Sequence, residues 1–454
     1  MSVSRRALLT GGLAAVAGAV TASCGAEPRQ PVWTPAGADP TGAGGATAGP
    51  SPTTTPSASA SASASASASA SPSAAARSPQ ERELAAVLSR FLAPTRENPK
   101  HPTYAGAVGL VVVGGKVTAH VAVGDAVRYG AGPVELPAAR RVPMRPDSVF
   151  DLASLTKVYT AILALQQVER GRLDLAAPVA EYLPEFTGTG KAAVTVEMLL
   201  THTSGLPVGA SVRGLSSDAA RRAAVLRTPL VKGAVPGDTF RYSSVGLMVT
   251  AFLVERLTGQ RLDAALRSGI TGPLGLRDTG FKPLTWMSAA DRDKRLVATD
   301  ARTSRGLLRG TVHDDVANIM GGVAGSAGVF GSAADVAAIG QLLLDGGTYR
   351  GKRLLSAGTV QRMLTNANRG KPAIDPERPR RTADHGLGVV LDQPWFMGRL
   401  SSPRTFGHTG FTGTSLLVNP DRGMVFVLLT NRAHPNWSWA NPDPARVAAA
   451  NAIA

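Results

Sequence analysis

Cysteine is nearly absent: Cys24 is the only one in 454 residues. No disulfide can close within one chain, so stability must come from a buried core. The apolar run Gly11 to Val20 is too short for a persuasive membrane span. No His-Glu-x-x-His pair occurs, and His313-Asp314-Asp315 has no spaced partner, so no metal is expected. Lys191 follows a glycine-rich stretch, but Ala192 stands where a phosphate loop needs Ser or Thr. A Gly-x-Ser-x-Gly elbow is missing too, which argues against the α/β-hydrolase route to a serine nucleophile. Acids are outnumbered, 32 Asp and Glu against 48 Lys and Arg, for a formal net charge of +16. Most of that charge reads as solvated arginine; what remains favours polyanions.

The N-terminus has an export signature. Ser4-Arg5-Arg6-Ala7-Leu8-Leu9-Thr10 and the apolar run behind it resemble a twin-arginine signal of residues 1–23. Cys24 after Thr21-Ala22-Ser23 resembles a lipoprotein cleavage site, and a lone cysteine in an exported chain favours lipidation. Thr21 stands where that pattern prefers Leu, so ordinary cleavage nearby is the alternative. Losing residues 1–23 removes Arg5, Arg6 and no acid, leaving +14. For an exported protein, cell-envelope polyanions or lipid headgroups fit that charge better than nucleic acid does, though merely solvated charge is the favoured reading. Residues 24–77 are mostly Ala, Ser, Pro, Thr and Gly, including the Ser-Ala alternation from Ser57 to Ala70. Such a stretch cannot bury enough apolar surface to offset chain entropy. It reads as a linker, reaching roughly 40 Å as a flexible coil and leaving residues 78–454 as the folded body.

Within that body the chain is organised around Phe150-Asp151-Leu152-Ala153-Ser154-Leu155-Thr156-Lys157. Small and apolar residues then recur at helical spacing as far as Arg170-Gly171, predicting a buried helix that opens at Ser154. A serine at that place has its backbone N–H among the free donors of a helix start, and Lys157 lies one turn on. A poorly solvated lysine is driven toward its neutral form, and a neutral amine can take a serine proton. The pattern also fits an N-capping Ser with a surface Lys; Ser-x-x-Lys alone does not decide.

Strand signals sit at both ends of the body. Ala105–Val113 and Lys116–Val123 flank Gly114-Gly115, a hairpin pattern, and strands recur at 386–391, 406–410, 414–418 and 424–430. Helical patterns occupy 79–92, 196–200, 219–226, 244–257, 333–344, 357–364 and 443–453. This implies one sheet assembled from both ends of the body beside a helical insertion.

Two further motifs add weight to Ser154: Arg241-Tyr242-Ser243-Ser244-Val245-Gly246 and Gly407-His408-Thr409-Gly410-Phe411-Thr412-Gly413. With Leu199 to Pro207, Val312 to Asp315 and Gly321 to Gly328 in order between or beside them, the chain resembles the serine β-lactamase and penicillin-binding superfamily. The likeness is to its class C-like hydrolases, DD-peptidases and esterases among them. The resemblance implies an α/β (α+β) fold, with an antiparallel sheet flanked by helices and an all-helical lobe. It implies Ser154 as nucleophile, Lys157 as its proton partner and Tyr242 as a second acid or base. The backbone N–H groups of Ser154 and Phe411 would form the oxyanion hole. Ser244, His408, Thr409 and Gly410 would contact substrate. No cofactor is implied.

Two departures bear on substrate. Ser244 replaces the usual Asn, losing an amide for the acyl-amide group, and His408 replaces the Lys of many β-lactamases. An imidazole at 408 titrating near ~6.5 would pair, when protonated, with a peptide's terminal carboxylate. The expectation is an exported acyl-serine hydrolase of a cell-envelope peptide or an ester. A β-lactamase or an idle envelope-binding lipoprotein is the alternative.

Overall fold

The computed structural model describes residues 77–454. The leader, Cys24 and nearly all of the linker lie outside the described residues. Helix α1 (Pro79–Arg90) opens on a full capping box: the Ser78 hydroxyl accepts from the Glu81 N–H, and the Glu81 carboxylate accepts from the Ser78 N–H. Strands β1 (Gly106–Val113) and β2 (Lys116–Val127) form the expected hairpin, with Val113 opposite Lys116. Gly114 and Gly115 both take positive φ, the mirror-image turn that matches strand twist.

A seven-stranded antiparallel sheet is completed by β3 (Val142–Pro143), β4 (Val390–Leu391), β5 (Phe406–Thr409), β6 (Ser415–Asn419) and β7 (Met424–Thr430), in the order β4-β5-β6-β7-β1-β2-β3. Both ends of the body therefore meet at its centre, where β1 pairs with β7. The expected strand at 386–391 contracts to its last two residues. Gly386 instead turns back to bond Val389, and its Cα is pressed against Met363 O so closely that a Cβ would stand 2.1 Å away.

The alternation along β7 shows how the core divides. Val425, Val427 and Leu429 join the large cluster on one face, whereas Met424, Phe426 and Leu428 join a smaller one on the other. The smaller cluster is closed by Leu84 and Leu88 of α1 and by Ala445 and Ala449 of the C-terminal helix at Asp443–Ala452. Each buried leucine of this kind contributes roughly 1.5–3 kcal/mol, and each alanine roughly 0.8 kcal/mol.

On the large-cluster side run α2 (Thr156–Glu169), α3 (Ser244–Thr258) and α4 (Ala333–Leu344). Every residue of α2 from Thr156 to Gln167 is buried. The helical region is interrupted by a small sheet in which Val329–Gly331 pairs with Phe150–Asp151 on one side and Gly280–Phe281 on the other. That sheet aims the chain into the site, because Phe150–Asp151 leads directly to Ser154.

Candidate active site

Ser154 does not cap the helix. A 3-10 turn, Ala153–Leu155, precedes α2, and no side chain caps either element. Ala153 takes φ +47°, a left-handed conformation that costs a non-glycine residue about 1–2 kcal/mol. The buried Asp151 carboxylate holds it there: Oδ1 accepts from the Ala153 N–H at 2.9 Å and Oδ2 from the His313 N–H at 2.7 Å. Desolvation pushes the Asp151 carboxyl up from its ordinary range, opposed by those two backbone donors. The same corner is tied to the turn after β5, since Thr412 Oγ1 donates to Asp151 O and Thr414 Oγ1 to Leu152 O. Gly410 is obligatory in that turn, because a Cβ would lie 2.1 Å from Thr414 Oγ1 and 2.5 Å from Leu152 O.

Lys157 is fully buried. Its Nζ donates to Ser154 Oγ at 3.0 Å and to the Ser326 carbonyl at 2.9 Å, and no carboxylate pairs with it among the described residues. The amino group lies 5.0 Å from the centre of the Tyr242 ring. Tyr242 follows the short strand Phe240–Arg241 and precedes Ser243, which caps α3 by accepting from the Gly246 N–H. The Tyr242 hydroxyl makes no hydrogen bond to the described residues.

Ser154, Tyr242, Ser244, His408, Thr409, Gly410 and Phe411 all border one cavity of about 920 Å³. Lys157 lies behind its wall. Neither the Ser154 nor the Phe411 backbone N–H finds an acceptor among the described residues, leaving both free for an oxyanion. Nucleophile, proton acceptor, phenol and donors thus converge as acyl transfer requires.

The carboxylate-pairing expectation for His408 needs correction. Its ring is buried, Nδ1 faces Thr409 O at 2.8 Å, and desolvation, with Lys157 next, holds it well below the ordinary imidazole range. His408 is a neutral wall residue near neutral pH. The cavity's cations are arginines. Arg302, Arg305, Arg378, Arg381 and Arg446 each pair with a carboxylate. Two lining arginines, Arg241 and Arg432, have no such partner among the described residues. For Arg432, Nη1 donates to Trp437 O, Nε is buried without a partner, and the guanidinium lies 4.5 Å from the Phe411 ring centre. Burial lowers its pKa to about 10. Sequence reasoning missed Arg432, Asp151 and Ser326. Only Asp151 had a local signal, as an Asx residue two positions before a strained turn.

The chain matches the beta-lactamase family over residues 95–451. It is 34% identical over 319 residues, 63% of this chain and 70% of the relative, to an Escherichia coli K12 protein named "Putative D-alanyl-D-alanine carboxypeptidase". In fold it is similar to a penicillin-binding protein homolog from Caulobacter crescentus, with a TM-score of 0.60 and 22% identity over 83% of this chain and 97% of that one. It is similar also to a family VIII carboxylesterase, with a TM-score of 0.60 and 21% identity over 83% and 98% of the two chains. By the family match and its closely set Ser154 and Lys157, the chain belongs to the beta-lactamase family and is a serine hydrolase.

Proposed function

We propose that this protein is an exported hydrolase that cleaves a cell-envelope peptide next to its terminal carboxylate, in the manner of a DD-carboxypeptidase, through an acyl-serine at Ser154. The observation that carries the reading is the 3.0 Å hydrogen bond from buried Lys157 Nζ to Ser154 Oγ. Lys157 takes the hydroxyl proton as Oγ bonds to the scissile carbonyl carbon. The N–H groups of Ser154 and Phe411 receive the developing oxyanion. As the carbon–nitrogen bond breaks, Tyr242 protonates the departing amine, and water then attacks the ester by the reverse proton path. Arg432 supports a carboxylate-ended substrate because it is a largely buried cation with no carboxylate in direct contact among the described residues; Asp443 and Glu377 act on it only from a distance. A neutral ester is the second reading, favoured by Ser244, whose hydroxyl replaces the amide expected for an acyl-amide group.

Intact-mass measurement after exposure to a fluorophosphonate or a labelled penicillin tests the acyl-serine. One adduct is expected on the wild type and none on Ser154→Ala; an adduct that persists on Ser154→Ala refutes the assignment. The same reading places the protein at the outer face of the cytoplasmic membrane through lipidated Cys24, with the linker holding the body clear. Cys24→Ser is then expected to move the protein from the membrane fraction to the medium. A wild type already soluble would end the anchor proposal.

A further inference from the structure

Behind the cavity wall lies a cluster that the acyl-transfer chemistry does not use. His202, His385 and His408 are buried at 0%, 0% and 2% exposure, and one ring nitrogen from each lies within 4.8 Å of the others. Each ring has its Nε2 buried without a hydrogen-bond partner among the described residues. They come from three separate segments: the loop after the helix Val196–Leu200, the loop before β4, and β5 itself. The His202 ring stacks obliquely on Tyr242 at 4.7 Å and meets His385 edge-on at 4.9 Å.

The other nitrogen of each ring fixes where its proton sits. His202 Nδ1 faces the Ser243 backbone N–H at 3.1 Å, and an amide N–H can only donate. His202 Nδ1 therefore accepts, and the neutral ring carries its proton on Nε2. His385 Nδ1 faces Gly386 O at 2.6 Å, and His408 Nδ1 faces Thr409 O at 2.8 Å. A carbonyl can only accept, so both rings are protonated on Nδ1 and turn bare lone pairs toward the cluster. The three Nε2 atoms thus offer one donor and two acceptors.

That inventory selects the ligand. A three-histidine metal site needs three lone pairs, and His202 has none to give while the Ser243 amide holds its Nδ1. Arg381 also acts electrostatically against positive charge on His202 and His408. Water fits instead, accepting one hydrogen bond and donating two. Ring nitrogens of the three residues lie within 4.8 Å of one another, a spacing that leaves a point within about 2.8 Å of each, and the unpartnered Nε2 atoms are the ones free to use it. Buried waters of this kind hold two to four bonds to groups that would otherwise be unsatisfied.

We propose that His202, His385 and His408 form a binding site for a single internal water, which ties β5 and the two loops together behind Tyr242. The water accepts from His202 Nε2–H and donates to His385 Nε2 and His408 Nε2. His385 is then a positioning residue for the phenol, acting through the water and His202.

Long-range nitrogen–proton NMR of the histidine-labelled full chain tests this directly and does not depend on the acyl-serine reading. One ring protonated on Nε2 and two on Nδ1 are expected, with the Nε2 proton showing a cross-peak to a bound water and no change on adding equimolar zinc ion. Three Nδ1-protonated rings that take up one zinc ion would overturn the proposal in favour of a metal site. The variants His385→Gln and His385→Leu add a kinetic arm, read as the maximal fluorophosphonate labelling rate of Ser154. The Gln amide oxygen keeps an acceptor and should retain the rate. Leu should lower it roughly tenfold, the worth of one net hydrogen bond, with the half-saturating concentration unchanged. Equal rates in both variants would remove His385 from positioning.

Discussion

The cavity has two corners built on opposite principles. At Ser154 and Lys157 the polar side chains are buried or half-buried, and a partner is in place for the lysine amine and for both Asp151 oxygens. At Arg432 and Phe411 the ring is 42% exposed, Trp437 beside it 40%, and the cation lacks a carboxylate. The side chains of the first corner are held without substrate, and its oxyanion donors alone stay free, as chemistry on a pre-set geometry demands. The second is unfinished, and a ligand carboxylate would complete it. Reaction and recognition are thus separated by how much of each corner the protein satisfies by itself.

The widest gap between the corners should appear in Lys157→Ala. Removing the serine's neighbouring base is expected to cut acylation by about 10²- to 10⁴-fold on every substrate, measured as the rate of fluorophosphonate labelling. Uniform loss is the signature of the reaction corner. A rate near wild type would mean that Tyr242 serves as base alone.

Arg432→Gln should act on one substrate class only. A charge-assisted hydrogen bond is worth about 1.5–3 kcal/mol, so kcat/KM on a peptide with a free terminal carboxylate should fall roughly 10- to 100-fold. The same peptide as its C-terminal amide, and a neutral ester, should be nearly unaffected. Equal losses on all three would place Arg432 with the reaction machinery and erase the distinction between the corners.

The smallest effects concern stability. Asp151→Ala strands the buried N–H groups of Ala153 and His313 and should cost about 2 kcal/mol in denaturant unfolding. Trp437→Ala, at the exposed rim, should shift the same measurement by no more than about 0.5 kcal/mol. Comparable losses would show that the rim also carries structure.

The difference between the corners also explains what could be read from the sequence. Ser154 and Lys157 meet through spacing along one turn, and the Gly114-Gly115 hairpin and the helices at 196–200 and 333–344 are likewise local. Their signals lie within a few residues. Arg432 gains its meaning from Phe411 and Trp437, and from the carboxylates that neutralise its neighbours but not Arg432. None of that is visible at position 432. His408 shows the same limit in reverse: the motif placed it at the cavity wall, but burial beside His202 and His385 deprives it of the charge an isolated imidazole would carry. Short strands such as 280–281 and 329–331 carry no periodicity to find, since two or three residues cannot show an alternation.

The pairing of β1 with β7 has a kinetic consequence. Ala107 finds Thr430, more than three hundred residues later, so the central ladder has a very high contact order. During synthesis the β1–β2 hairpin waits with one edge unpaired and both faces apolar until the last strands emerge. Loop closure over that span is slow, and an open hydrophobic edge invites pairing with another chain. A nascent chain arrested before Met424 has its longest hairpin but no centre to its sheet, which makes the stretch from Met424 onward the step that commits the molecule to its fold.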